Sequence, residues 1–149
     1  MRGLRAILCA LLVGLSVKLC LPHGKAHAQE AGKTPQLSIE LNRLEQLKEA
    51  CRATFVLSNG LQAGISEIAL ELVLFNPSGL VEQMRSFDFG EVVAGKTVVR
   101  RFDLNGTDCA EISRILINSV SKCAGDGLDA GKCSGMLVTA NRAGIEFGT

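Results

Sequence analysis

From Gln36 onward most apolar residues recur at every second position, the period that sends alternate side chains to one face of an extended strand. Leu37, Ile39 and Leu41 alternate with polar partners. Cys51, Ala53, Phe55 and Leu57 repeat the pattern before Asn59-Gly60, a turn pair tolerant of positive φ. Ile68, Leu70, Leu72 and Leu74 give the strictest alternation, while the opposite face, Glu67, Ala69, Glu71, Val73 and Phe75, is mixed, as expected of a strand packed mainly on one side. Asn76-Pro77-Ser78-Gly79 places proline second and glycine fourth, which suits a type I turn and returns the chain into a strand over Val81 to Phe89. Gly90 to Lys96 reads as a connection and Thr97 to Leu104 as a strand closed by Asn105-Gly106. Arg114 to Cys123 is another strand, and Met136 to Ala140, continued by Ile145 to Phe147, is the last.

About seven short strands, with turn signals every 8 to 14 residues or so and no long helical period between them, predict an all-β fold: an immunoglobulin-like antiparallel β-sandwich. One segment is ambiguous. Glu40 to Ala50 is rich in Leu, Glu, Lys and Gln, and Leu37, Leu41 and Leu44 also fit helical spacing, so a short helix is the alternative there.

The first residues follow another pattern. Arg2 and Arg5 precede an apolar run from Ala6 to Val17, followed by Pro22 and the small-residue tripeptide Ala26-His27-Ala28. That order is a cleavable signal peptide over residues 1–28. The run is about 12 residues long, against the roughly 20 that a bilayer span needs. A lipid anchor on Cys20 is disfavoured because Val17-Lys18-Leu19 lacks small side chains. The polar residues 29–35 read as a flexible lead-in, and 36–149 as one sandwich domain. The expected compartment is the periplasm, with secretion as the alternative.

Export changes the composition. Both histidines, His23 and His27, lie in the leader, so the mature chain holds no His, Trp or Tyr. Four of the 16 Lys and Arg residues (Arg2, Arg5, Lys18, Lys25) leave with it and none of the 15 Asp and Glu, leaving 12 against 15, net −3. No basic excess remains to hold a phosphate backbone, so nucleic acid and anionic membrane surfaces are not expected partners.

Cys9 and Cys20 also leave, so Cys51, Cys109, Cys123 and Cys133 remain in a compartment that oxidises thiols. Three pairings are possible. If consecutive strands alternate direction, Cys51 and Cys109 share one end of the sandwich, while Cys123 and Cys133 flank the last hairpin at the other. Either alternative joins opposite ends, beyond the roughly 5.5 Å typical of bridged Cα atoms. Pairing 51 with 109 and 123 with 133 is therefore expected. No Cys-x-x-Cys pair offers two thiolates to one ion, so a zinc or redox site is the weaker reading, and no metal or cofactor is expected.

Without histidine the mature chain builds neither a Ser-His-Asp nor a Cys-His nucleophile. Carboxylate glycoside chemistry lacks the Trp and Tyr that usually hold sugar rings, and Glu67 and Glu71 read as a solvated strand face. No glycine-rich phosphate loop opens a helix. An enzyme is not expected. The most suggestive local feature is Arg100-Arg101: in the alternation Val98, Arg100, Phe102, Leu104, the first arginine faces inward, and a buried charge needs a partner. Arg100 and Arg101 are the candidates for ligand or partner contact at the rim. The bland alternative packs the arginine stem and lets its head reach water or an acidic neighbour. Asn105-Gly106-Thr107 matches a glycosylation sequon, but it overlaps a turn signal and is given no role.

Cys51 to Asn59, Leu70 to Gly79, Gly95-Lys96-Thr97 with Arg101 to Leu104, and Cys109 through Ile117-Asn118 to Cys123 resemble a group of small exported alphaproteobacterial proteins. The layout is also similar to the FxLYD type of immunoglobulin-like domain, with Phe75-Asn76-Pro77-Ser78-Gly79 standing where that pattern has its aromatic and aspartate. Both resemblances imply a periplasmic, non-enzymatic domain and bring no catalytic residues. The leading expectation is thus a binding or scaffolding module for another envelope protein. The alternative is a carrier of a small apolar or anionic ligand between the sheets.

Overall fold

A computed structural model describes residues 35–149, so the leader and nearly all of the lead-in lie outside the described residues. Eight strands form: β1 (Leu37–Gln46), β2 (Ala50–Asn59), β3 (Ile65–Phe75), β4 (Val81–Val92), β5 (Thr97–Asn105), β6 (Arg114–Gly125), β7 (Leu137–Asn141) and β8 (Glu146–Gly148). A 3-10 turn at Cys109–Glu111 precedes β6, and a short helix, α1 (Ala130–Met136), precedes β7. Two four-stranded sheets result, sheet A in the order β5-β2-β1-β7 and sheet B in the order β4-β3-β6-β8.

The fold is the expected all-β sandwich, with pairing that differs at two edges. The four inner pairs, β1 with β2, β2 with β5, β3 with β4 and β3 with β6, are antiparallel. β7 joins β1 and β8 joins β6 in parallel. The last two strands thus enter different sheets through the turn between them, where the sequence reading took Met136 to Ala140 and Ile145 to Phe147 as one last strand.

The alternation places the core where it was expected. Leu37, Ile39, Leu41, Phe55 and Leu57 of sheet A face Ile68, Leu70, Leu72, Leu74 and Phe89 of sheet B, all buried. Each such side chain contributes about 1.5–3 kcal/mol on burial. Phe55 sits at the centre, its ring 5.5 Å from Phe89, 6.1 Å from Phe102 and 5.9 Å from Phe147.

The ambiguous segment is strand. β1 runs to Gln46 with a bulge between Leu41 and Arg43. An extra residue in one strand shifts its inward parity, so Leu44 follows Leu41 on the core side at a spacing of three. That shift produced the helical appearance. A second bulge extends β4 beyond the expected end at Phe89: Gly90, at φ 69°, kinks the strand without ending it, and pairing with β3 resumes at Val92. At the Asn59-Gly60 turn the reason for glycine also differs from expectation. Gly60 is not at positive φ; a Cβ there would lie 2.8 Å from Gln36 O.

α1 was not foreseen. Its seven residues include two glycines and carry little helical propensity, but Asp129 caps it by accepting a hydrogen bond from Lys132 N. Cys133 on this helix bonds Cys123 on β6, and Cys51 on β2 bonds Cys109 in the 3-10 turn. Both expected pairings are present, at opposite ends of the sandwich, although a helix stands where the last hairpin was expected.

Candidate functional site

β4 and β5 are edge strands of different sheets, joined by the turn 93–96, and they border one flank of the sandwich. Arg100 projects inward from β5, half-buried, as its place in the alternation required. Its Nε donates to Phe89 O at 2.8 Å, and its terminal nitrogens donate to Glu91 O and Val99 O at 3.3 Å. The Gly90 bulge lies between the two β4 carbonyls that it reaches. Arg100 therefore bridges the rims of the two sheets, and its partners are main-chain oxygens. Arg101 is exposed on the outer face of β5, so the two arginines do not converge on one site.

Phe87, Phe89 and Phe102 close this flank from within, with Phe102 centred 5.0 Å from each of the other two. The opposite flank is built from β7, β8 and the turn between them. Arg142 in that turn donates to Glu40 on β1 at 3.0 Å, and Asn141 Nδ2 donates to Ile145 O. An open groove of about 770 Å³ lies there, lined by Ser113, Arg114, Ile145 and Glu146 among others. Arg114 lies over the Phe75 ring at 5.3 Å and 3.8 Å from Glu146.

The outer faces differ in chemistry. On sheet A, Arg52 forms two hydrogen bonds with Asp103, at 2.7 and 2.9 Å, and Ser58 meets Thr97 at 2.7 Å. The Arg52 hydrogen bond holds the Asp103 carboxyl below the usual carboxylate range and raises the guanidinium in turn. Hydrogen bonds from Asn42 and Arg142 lower Glu40 likewise. On sheet B, Glu67 pairs with Lys122 at 2.6 Å and raises that ammonium, and Glu71 accepts from Asn118 at 2.5 Å. These two glutamates thus have structural partners on the solvated face.

Toward the β3–β4 turn, sheet B becomes apolar. Val73 is flanked in register by Met84 and Leu116, with Phe75 next along β3. Leu80 is 64% exposed, Val81 56% and Met84 55%, three large apolar side chains within five residues. Beside them Gln83 Nε2 donates to Thr107 at 2.9 Å while its buried Oε1 has no partner. The mixed outward face of β3 was legible in the sequence; Leu80 and Met84, isolated in polar surroundings, were not.

Sequence reasoning also missed Asn59, a buried polar residue with a structural task. Its Nδ2 donates to Ala63 O and Val92 O, and its Oδ1 accepts from Leu61 N, tying the β2–β3 turn to the end of β4. Among the described residues no three His, Cys, Asp or Glu side chains come together to hold a metal ion, and no helix is long and apolar enough to cross a membrane.

These features define a two-disulfide β-sandwich, with covalent links compatible with an exported protein. No family model and no curated protein matches the chain. Among solved structures, IrmA from Escherichia coli has a similar fold, with 15% identity and a TM-score of 0.57 over 71% of this chain and 92% of that one.

Proposed function

We propose that this chain is an exported, periplasmic, immunoglobulin-like binding module that meets another envelope protein through the apolar end of sheet B, and that it is not an enzyme. The observation that carries the reading is the run Leu80, Val81 and Met84, with Phe75 and Leu116 beside it. Exposed apolar clusters on an otherwise polar domain mark interaction surfaces. The two disulfides suit an oxidising compartment. The histidine-free mature chain and the resemblance to small exported proteins agree with a surface task. The alternative, a carrier of a ligand between the sheets, has less support, because Phe55, Phe89 and Phe102 fill that space.

Crosslinking in the native envelope, followed by pull-down of the oxidised protein, tests the reading. A discrete partner should be recovered by the parent protein, and Leu80→Glu should reduce its recovery about tenfold or more, as loss of a hot-spot side chain does. Equal recovery by the Leu80→Glu variant, or no partner above background, defeats it.

A further inference from the structure

The free rim of β4 carries an inference that does not depend on the envelope partner. Asn76 N donates to Leu80 O across the β3–β4 turn and Ser113 N donates to Phe75 O on the β6 side, so even-numbered residues of β3 turn their backbone groups to β4 and, in register, meet those of Gln83, Arg85 and Phe87. By the two-residue period of a strand, the N–H and C=O groups of Met84, Ser86 and Asp88 face outward, away from β3. The bulge between Asp88 and Gly90 resets the parity, and Arg100 takes the carbonyls of Phe89 and Glu91 beyond it. β4 pairs with β3 alone, and no backbone group among the described residues takes these. Arg100 closes the far end of the rim, and the Asn76–Leu80 turn bounds the near end. The open stretch is Val81 to Phe87, and its midpoint is Met84.

We propose that this rim pairs with its counterpart in a second copy of the chain, the two β4 strands running antiparallel about a twofold axis so that sheet B continues across both copies. A twofold perpendicular to the sheet sets like-facing residues opposite each other, which leaves few registers. Centred on Arg85, it opposes Arg85 to itself and Glu82 to Asp88; centred on Glu82, it opposes Glu82 to itself. Centred on Gln83 or Ser86, it sets Met84 against Glu82 or Asp88. Centred on Met84, it sets this exposed side chain against its own copy, Gln83 against Arg85 and Glu82 against Ser86, with no like charges opposed. The charge pattern and the midpoint of the open rim select the same register. An unguarded strand edge is a template for this kind of pairing.

Light scattering of the purified, oxidised protein over a concentration series should show the mass rising from monomer to dimer, and Met84→Lys should hold it at monomer. In this register Met84 forms a hydrogen-bonded pair with its copy, with Cα atoms about 5.5 Å apart, inside disulfide range. Met84→Cys should therefore crosslink into a covalent dimer, at least about tenfold more than Val99→Cys, which is placed on β5 and is 55% exposed as Met84 is. Monomer mass up to roughly 1 mM overturns the proposal. So does a dimer that crosslinks through Val99→Cys as readily as through Met84→Cys. These measurements use purified protein alone, while Leu80→Glu reads capture of an envelope partner, so either reading can fail without the other.

Discussion

The two flanks of the sandwich are closed by different means. At the β4/β5 flank, two long strands from opposite sheets are bridged by Arg100, with Phe87, Phe89 and Phe102 stacked beneath. At the β7/β8 flank, two short strands join in parallel, the Glu40–Arg142 pair ties their turn to β1, and a groove stays open. A strand ladder satisfies main-chain groups only within its own sheet. Where one sheet must be joined to the other, side chains or covalent bonds do the joining, and each end of the sandwich has its own disulfide for this: Cys51–Cys109 ties β2 to the 3-10 turn before β6, and Cys123–Cys133 ties β6 to the helix that leads into β7.

The largest expected effect is one that breaks both flanks together. Phe55 touches Phe89 and Phe102 on one side and Phe147 on the other, so Phe55→Ala should lose about 3–5 kcal/mol in urea unfolding. Phe102→Ala and Phe147→Ala then separate the flanks, with the larger loss at Phe102, which has three aromatic neighbours against one.

Replacing each disulfide by an alanine pair tests the covalent joins. The Cys51–Cys109 link closes 58 residues of chain and the Cys123–Cys133 link closes 10. In the chain-entropy model their removal should cost about 4 and about 3 kcal/mol. A Cys123–Cys133 deletion that proves the more damaging would mean that α1 organises the β7/β8 flank beyond the entropy of its loop.

Arg100→Met keeps an apolar stem and leaves the Phe89 and Glu91 carbonyls without their donor. It should lose about 1–3 kcal/mol, with faster amide exchange confined to Phe89 to Val92. Arg142→Ala, which removes an exposed partner at the other flank, should lose no more than about 1 kcal/mol.

The smallest effect is acid sensitivity. Asp103 near one flank and Glu40 near the other both sit below the ordinary carboxylate range when folded. Their contributions are therefore present above about pH 4, the unfolded value, and are lost as pH falls through the lowered folded values. Asp103→Asn should flatten the acid limb of the stability profile, and Glu40→Gln should do so independently, because their partners are not shared.

Much of this architecture was legible in the residues, for a local reason. A strand buried on one face must alternate, so Leu37 to Leu41, Phe55 and Ile68 to Leu74 declared both their conformation and their inward side. Arg100 declared its direction in the same way, since Val98, Arg100, Phe102 and Leu104 share one parity. Its partner was not legible. The carbonyls of Phe89 and Glu91 come within reach only through the Gly90 bulge, and a bulge shows in sequence as a break in parity that looks like the end of a strand. The same blindness made Leu41 and Leu44 look helical. The apolar cluster at Leu80 and Met84 escaped because exposure of single residues depends on what the neighbouring strands cover.

By itself the sequence determined the strand periods and, over residues 36–149, an even set of four cysteines and no histidine, because side-chain parity and composition belong to the chain alone. Tertiary structure alone decided that β7 and β8 join different sheets in parallel, that Arg100 donates to main-chain carbonyls of β4, and that the β4 rim from Val81 to Phe87 is left unpaired among the described residues. Hydrogen-bond partners distant in the chain are chosen by packing the two sheets together, and no local period records that choice.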